Sequence, residues 1–98
     1  MEVEFENEAL KRVEEELDYT AGWPAGIVKA FRMRMQFIRS AKDERDFAAW
    51  RALRFEKLKA ELEGYHSMRL NDQWRLLVKL RKGQTGKVVV VVSIVDYH

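Results

Sequence analysis

The 98-residue chain contains no cysteine, one proline and two histidines. Without cysteine there is no disulfide framework, no thiol nucleophile and no thiolate metal site. With only His66 and His98 available, a structural zinc centre is not expected, and no metal site is assigned. Long apolar runs are also missing. Residues 88–92, continued through Ser93 to Val95, have the length of a strand, far short of the roughly 20 residues that a membrane helix needs. The opening MEVEFENEAL is acidic and lacks the apolar segment of a signal peptide. There is no Gly-rich phosphate loop with its lysine, no G-x-S-x-G and no H-E-x-x-H. These absences together lead us to expect a cytoplasmic protein without a cofactor and without contact to a membrane.

What is present is 47% hydrophobic residues and an uneven distribution of charge. The length predicts a single domain over residues 1–98. Residues 1–20 carry eight acids and two bases, whereas residues 21–98 carry sixteen bases and eight acids. A basic body behind an acidic first segment suggests one face for a polyanion and another turned elsewhere. Scattered, solvated surface lysines would give the same totals.

The hydrophobic pattern changes period along the chain. Val3 and Phe5 alternate with glutamates, which predicts a short first strand. Asn7 is a candidate N-cap for an amphipathic helix over 8–18, with Leu10, Val13 and Leu17 on its apolar stripe. Pro24 suits the start of a second helix over 24–40, where Ile27, Val28, Phe31, Met35 and Ile38 form the stripe and the Met33–Met35 pair fills the core. Asp43 or Asp46 is placed to cap a short third helix carrying Phe47, Trp50 and Leu53. Short strands are then predicted over 54–59 and 64–70, with Asn71-Asp72 as a turn signal. Trp74, Leu76, Val78 and Leu80 alternate within a strand over 73–80. Residues 81–86 read as the next turn, and the β-branched run over 87–95 as a central strand covered on both faces. The expected fold is α+β: an N-terminal strand and two to three helices packed on a mainly antiparallel sheet of four to five strands.

If the Trp74 side of its strand faces the core, Arg75 and Lys79 stand on the opposite face, where Arg69 and Lys59 could join them. Cations so arranged suit a phosphate backbone; exposed charges on a solvated sheet face give the same pattern. The terminal Asp96-Tyr97-His98 follows an apolar strand. Histidine serves as acid or base near neutral pH, aspartate orients it, and tyrosine stacks on a base. Strict alternation puts Asp96 and His98 on one face and Tyr97 on the other. His66, alternating with Met68 and Leu70, reads as a structural histidine, and Trp23, Trp50 and Trp74 as core residues.

The stretch Leu58-Lys59-Ala60-Glu61-Leu62-Glu63-Gly64, then Ser67-Met68-Arg69-Leu70-Asn71-Asp72-Gln73-Trp74-Arg75, resembles HigB-type toxins of the RelE/ParE superfamily, as does the closing Asp96-Tyr97-His98. Arg32-Met33-Arg34 falls where that family has a comparable segment of its second helix. The resemblance implies a compact fold like that of microbial ribonucleases and a place in a type II toxin–antitoxin system. It implies a ribosome-dependent endoribonuclease that cleaves mRNA in the A site by metal-free attack of the 2′-hydroxyl. It also implies restraint by a HigA-like helix-turn-helix antitoxin, with operator DNA bound only through the pair. A gyrase inhibitor of the ParE kind and an inert RNA-binding module share the fold and stand as alternatives.

On the endoribonuclease reading, Arg75 neutralises phosphoryl charge with help from Lys59 and Arg69, and His98 transfers the proton. Asp96 orients His98 or shares the role of base, and Tyr97 positions the nucleotide. Arg54, Lys57 and Lys79 bind RNA. The chain departs from the family pattern twice. Arg54-Phe55-Glu56-Lys57 stands where many members carry a histidine, so that Glu56 is a possible base, and Ala60-Glu61 replaces Gly-Asp. The acidic helix is expected to face away from RNA. Deleting residues 96–98 is expected to abolish mRNA cleavage while leaving the melting temperature nearly unchanged; a truncated protein that still cuts would remove the terminal triplet from the site.

Overall fold

The computed structural model describes residues 1–96, with the side chain of Ala60 left out; Tyr97 and His98 lie outside the described residues. Five strands, β1 (Glu2–Phe5), β2 (Glu56–Lys57), β3 (Tyr65–Arg69), β4 (Trp74–Lys82) and β5 (Lys87–Asp96), form one sheet in the order β1-β5-β4-β3-β2. β1 runs parallel to β5 and the other pairings are antiparallel. Three helices, α1 (Glu8–Glu15), α2 (Ala25–Ser40) and α3 (Glu44–Ala49), together with a 3₁₀ turn at Arg51–Leu53, complete the α+β fold. The strand expected over 54–59 shrinks to the two residues of β2.

Period explains the core. Along α2, Ile27, Val28, Phe31, Met35 and Ile38 recur every three to four residues and are all buried. They meet the Leu76–Val78 side of β4 and the Val89–Val91 side of β5. Trp23 and Trp74 meet edge to face at 5.2 Å on the rim of this core. Three expectations need correction. Leu17 is 86% exposed because α1 stops at Glu15. Met33, beside the α2 stripe, is 54% exposed while Met35 is fully buried. Trp50 lies at the surface and not in the core.

β5 is central, between β1 and β4, but its two covers differ. Helices close one side. On the other, Val88 and Val90 are buried although, among the described residues, they lie outside the core that the helices cover. Long side chains do this work: Glu4 pairs with Arg81 and Glu6 with Lys79, across the strand between them. β5 also carries a bulge. Leu77 faces Ser93 and Val78 faces Val91, which leaves Val92 as an extra residue. The bulge reverses the alternation beyond it, so Ile94 joins the core and Val95 lies opposite Arg75.

Turn chemistry closes the hairpins. Asn71 accepts hydrogen bonds through Oδ1 from the backbone N–H groups of Gln73 at 2.9 Å and Trp74 at 2.7 Å, linking β3 to β4. Between β4 and β5 the Gly83 N–H donates to the Gly86 carbonyl at 2.7 Å, and a Cβ at Gly83 would stand 2.9 Å from that oxygen.

Arg32 fastens α1 to α2. Its guanidinium donates to the carbonyls of Val13 and Glu16, both at 2.9 Å, and of Leu17 and Tyr19, both at 3.2 Å. These carbonyls come from the last turn of α1, its C-cap Glu16 and the loop that follows, where intrahelical partners run out. Arg32→Ala is expected to cost about 2–3 kcal/mol, the scale of charge-assisted hydrogen bonds, measured as a lower midpoint in urea. Arg32→Lys should recover only part of this, since one ammonium cannot span four carbonyls.

Candidate functional site

The site forms at the β2–β3–β4 end of the sheet. Arg75 is 3% exposed. A buried guanidinium must be compensated, and here three segments supply the partners. Glu56 on β2 places a carboxylate oxygen 2.9 Å from Nη1. The Arg54 carbonyl accepts from Nη2, and the Ser67 carbonyl on β3 lies at 3.5 Å. Arg54 itself adopts the left-handed conformation, with φ of 49°, which is uncommon without glycine.

Arg54, Arg69, Asn71, Asp72 and Arg75 line a pocket of about 210 Å³. Arg69 stands directly across from Arg75 on the neighbouring strand and pairs with the exposed Asp72. Behind Arg69, Arg34 of α2 donates from Nε to the Arg69 carbonyl at 2.7 Å. Burial holds the Arg34 pKa below the ordinary arginine value, and the positive charge of Arg69 adds to the effect. Several guanidinium groups therefore converge at this end of the sheet, an arrangement suited to an anion with more than one oxygen.

The expected residues distribute unevenly. Arg75, Arg69, Arg54 and Glu56 come together. Lys79 lies on the same face, but four residues along β4, roughly 13 Å away at strand rise. It pairs with Glu6, whose hydrogen bond raises the lysine pKa above its ordinary value. Lys57 and Lys59 border a different hollow with Leu58 and Glu63, because alternation turns Lys57 away from Glu56. Asp96 is not beside Arg75. The bulge places it opposite Trp74, where it accepts from Gln73 Nε2 at 3.1 Å. The roles assigned to Tyr97 and His98 fall outside the described residues. Sequence reasoning gave Arg34 no place in the site. Its signal was available: Arg34 sits on the 27–31–34–38 spacing of an otherwise apolar stripe.

A family model described as a RelE-like toxin of the type II toxin–antitoxin system HigB matches residues 3–98. The chain belongs to the HigB-like toxin family. This HigB-like chain also matches solved toxin structures along its whole length. A YoeB/ParE toxin from Agrobacterium tumefaciens is 15% identical, with 100% of both chains covered and a TM-score of 0.59. YafQ from E. coli is 14% identical, covering 98% of this chain and 92% of that one, with a TM-score of 0.59. YoeB in a YoeB–YefM complex from Staphylococcus aureus is 20% identical, covering 100% and 97%, with a TM-score of 0.57. At these identities the likeness is one of fold. No curated protein matches the chain. Among the described residues, no helix is long and apolar enough to cross a membrane.

His66, next to the site on β3, has a structural environment. It stacks on Phe55 at 4.8 Å with planes 4° apart, and its buried Nδ1 makes no hydrogen bond among the described residues. Burial lowers its pKa below the ordinary 6.5; the charges of Lys57 and Lys87 act in the same direction, and Glu44 opposes them. The unfolded chain therefore binds this proton more readily than the folded one, and the stability contributed by neutral His66 is lost as pH falls through about 6.5. Denaturant midpoints measured between about pH 7.5 and pH 5 should fall more steeply for the native chain than for His66→Phe, which keeps the stack without the titrating nitrogen. Parallel curves would remove His66 as the source.

Proposed function

We propose that this toxin is a ribosome-dependent endoribonuclease that cleaves mRNA in the A site and so stops translation. The observation that carries this reading is the buried Arg75 guanidinium held 2.9 Å from the Glu56 carboxylate at the mouth of a pocket lined by Arg54 and Arg69. Cleavage by an internal nucleophile needs these elements. The ribose 2′-oxygen attacks the adjacent phosphorus while a base takes its proton. The bond to the 5′-oxygen breaks, and an acid protonates that oxygen. The products are a 2′,3′-cyclic phosphate and a 5′-hydroxyl. Charge gathers on the non-bridging oxygens, where fixed cations act with little reorganisation.

In this reading Arg75 and Arg69 hold the phosphoryl oxygens, and Arg54 guides the backbone. Glu56 is the base for the 2′-hydroxyl, since an arriving phosphate competes for Arg75 and releases the carboxylate. His98 protonates the leaving oxygen and Tyr97 positions the nucleotide. Asp96, which accepts from Gln73 opposite Trp74, orients His98. Lys59 and Lys57, on a separate hollow, and Lys79, paired with Glu6, bind RNA outside the cleavage site. A HigA-like antitoxin restrains the toxin and carries the pair to operator DNA. The S. aureus YoeB–YefM structure, a heterotetrameric toxin–antitoxin complex, supports an antitoxin partner by analogy.

Primer extension on an mRNA incubated with the protein, with and without programmed ribosomes, tests the reading. Cuts are expected only with ribosomes. Glu56→Gln should lower the cleavage rate by about a hundredfold or more, the range of a lost general base, and Arg75→Lys by a similar factor. Both proteins should be checked for native melting curves. Absent cuts combined with inhibited supercoiling by gyrase would replace this reading with the ParE-type one.

A further inference from the structure

Trp50 connects α3 to the 3₁₀ turn and is 38% exposed. It is nevertheless held firmly. Its ring meets Phe37 edge to face at 4.7 Å, and the Arg34 guanidinium lies 5.0 Å from the ring centroid. The same Arg34 donates to the carbonyl of Arg69, whose side chain lines the arginine pocket. One guanidinium thus ties the exposed ring to the wall of the pocket. Around the ring, Arg51 follows directly in the chain and Arg54 four residues on. Both are exposed and neither has an ion-pair partner among the described residues. By contrast, the cations of the sheet face, Lys79 and Arg81, are neutralised by Glu6 and Glu4.

A fixed aromatic ring among unneutralised arginines is the composition of a surface that binds single strands, in which cations follow the backbone and the ring takes a base. Tryptophan and arginine also dominate protein hot spots. The continuity with the phosphate pocket favours the nucleic acid. The Arg34 link between the pocket wall and the ring supports one order along a strand: a phosphate at Arg69 and Arg75, then a base from a neighbouring nucleotide at Trp50. Stacking recognises any base, so this contact supplies affinity and register with little sequence preference.

We infer that Trp50 is a stacking platform for the base of a nucleotide adjacent to the phosphate held by Arg69 and Arg75. This rests on the pocket being an RNA phosphate site, and it adds a positioning residue that the cleavage chemistry does not require.

The test uses a labelled single-stranded deoxyoligonucleotide of about twelve residues, which lacks the attacking 2′-hydroxyl, and a matched strand of abasic sites, at low salt. The native chain is expected to prefer the strand with bases by about tenfold. Trp50→Ala should lose that preference, falling to the abasic level, while Trp50→Phe keeps most of it and retains the packing on Phe37. The abasic comparison needs no substitution, so a poorly folded Trp50→Ala would not weaken the test. If the native chain binds both strands equally, and Arg75→Ala weakens both, the inference is overturned while the phosphate site survives. If neither strand binds, or Arg75→Ala changes nothing, the phosphate-site reading itself fails and takes this inference with it.

Discussion

Compensating the buried charge of Arg75 shapes the whole end of the sheet where the pocket lies. A guanidinium excluded from water is tolerated only with a counter-charge and acceptors in place. Three chain segments meet that demand: the short β2 brings Glu56, β3 offers the Ser67 carbonyl, and the backbone at Arg54 twists into a left-handed conformation that aims its carbonyl at the same group. A strained backbone held by surrounding contacts is a recurring property of functional sites, and here the contact that holds it is the cation itself.

The signature run Asn71-Asp72-Gln73-Trp74-Arg75 can be read as a set of separate physical tasks. Asn71 fixes the turn, Asp72 pairs with Arg69, Gln73 holds Asp96, Trp74 packs on Trp23, and Arg75 enters the pocket. Five successive residues thereby join two strands, the core rim and the last strand. This density of tasks explains why so short a run carries the resemblance to the family.

Periodicity made most of the architecture legible. Alternation at Val3 and Phe5, the α2 stripe and the β-branched run over 87–95 each landed in the expected element, because burial on one face dictates the residue types there. The site was only partly legible. Alternation correctly put Arg75 and Lys79 on one face, yet it says nothing of distance along the strand or of Glu6 reaching over from β1. Alternation and motif named Glu56 only as a possible base, because its partner Arg75 is nineteen positions away in the chain and becomes a neighbour only through β3. Arg34 was marked only by being a cation on the spacing of an apolar stripe. The place of Asp96 opposite Trp74 depends on a feature with no strong sequence mark, an extra valine within a run of valines.

Charge is also partitioned by the fold. Glutamates of β1 neutralise the cations over β5, while α1 packs against β1 and α2, at the opposite edge of the sheet from β2. The acidic first segment is therefore a counterweight for one half of the sheet face, and the basic surplus is left to gather near α3 and β2.

The bulge at Val92 works like a frameshift written into the pleat. Before it, odd-numbered residues of β5 face the helices; after it, even-numbered ones do. Were Val92 paired in regular register instead of bulged, the alternation would turn Ile94 out of the core and bring Asp96 round to the face of Arg75. The bulge thus keeps Ile94 in the core and Asp96 opposite Trp74.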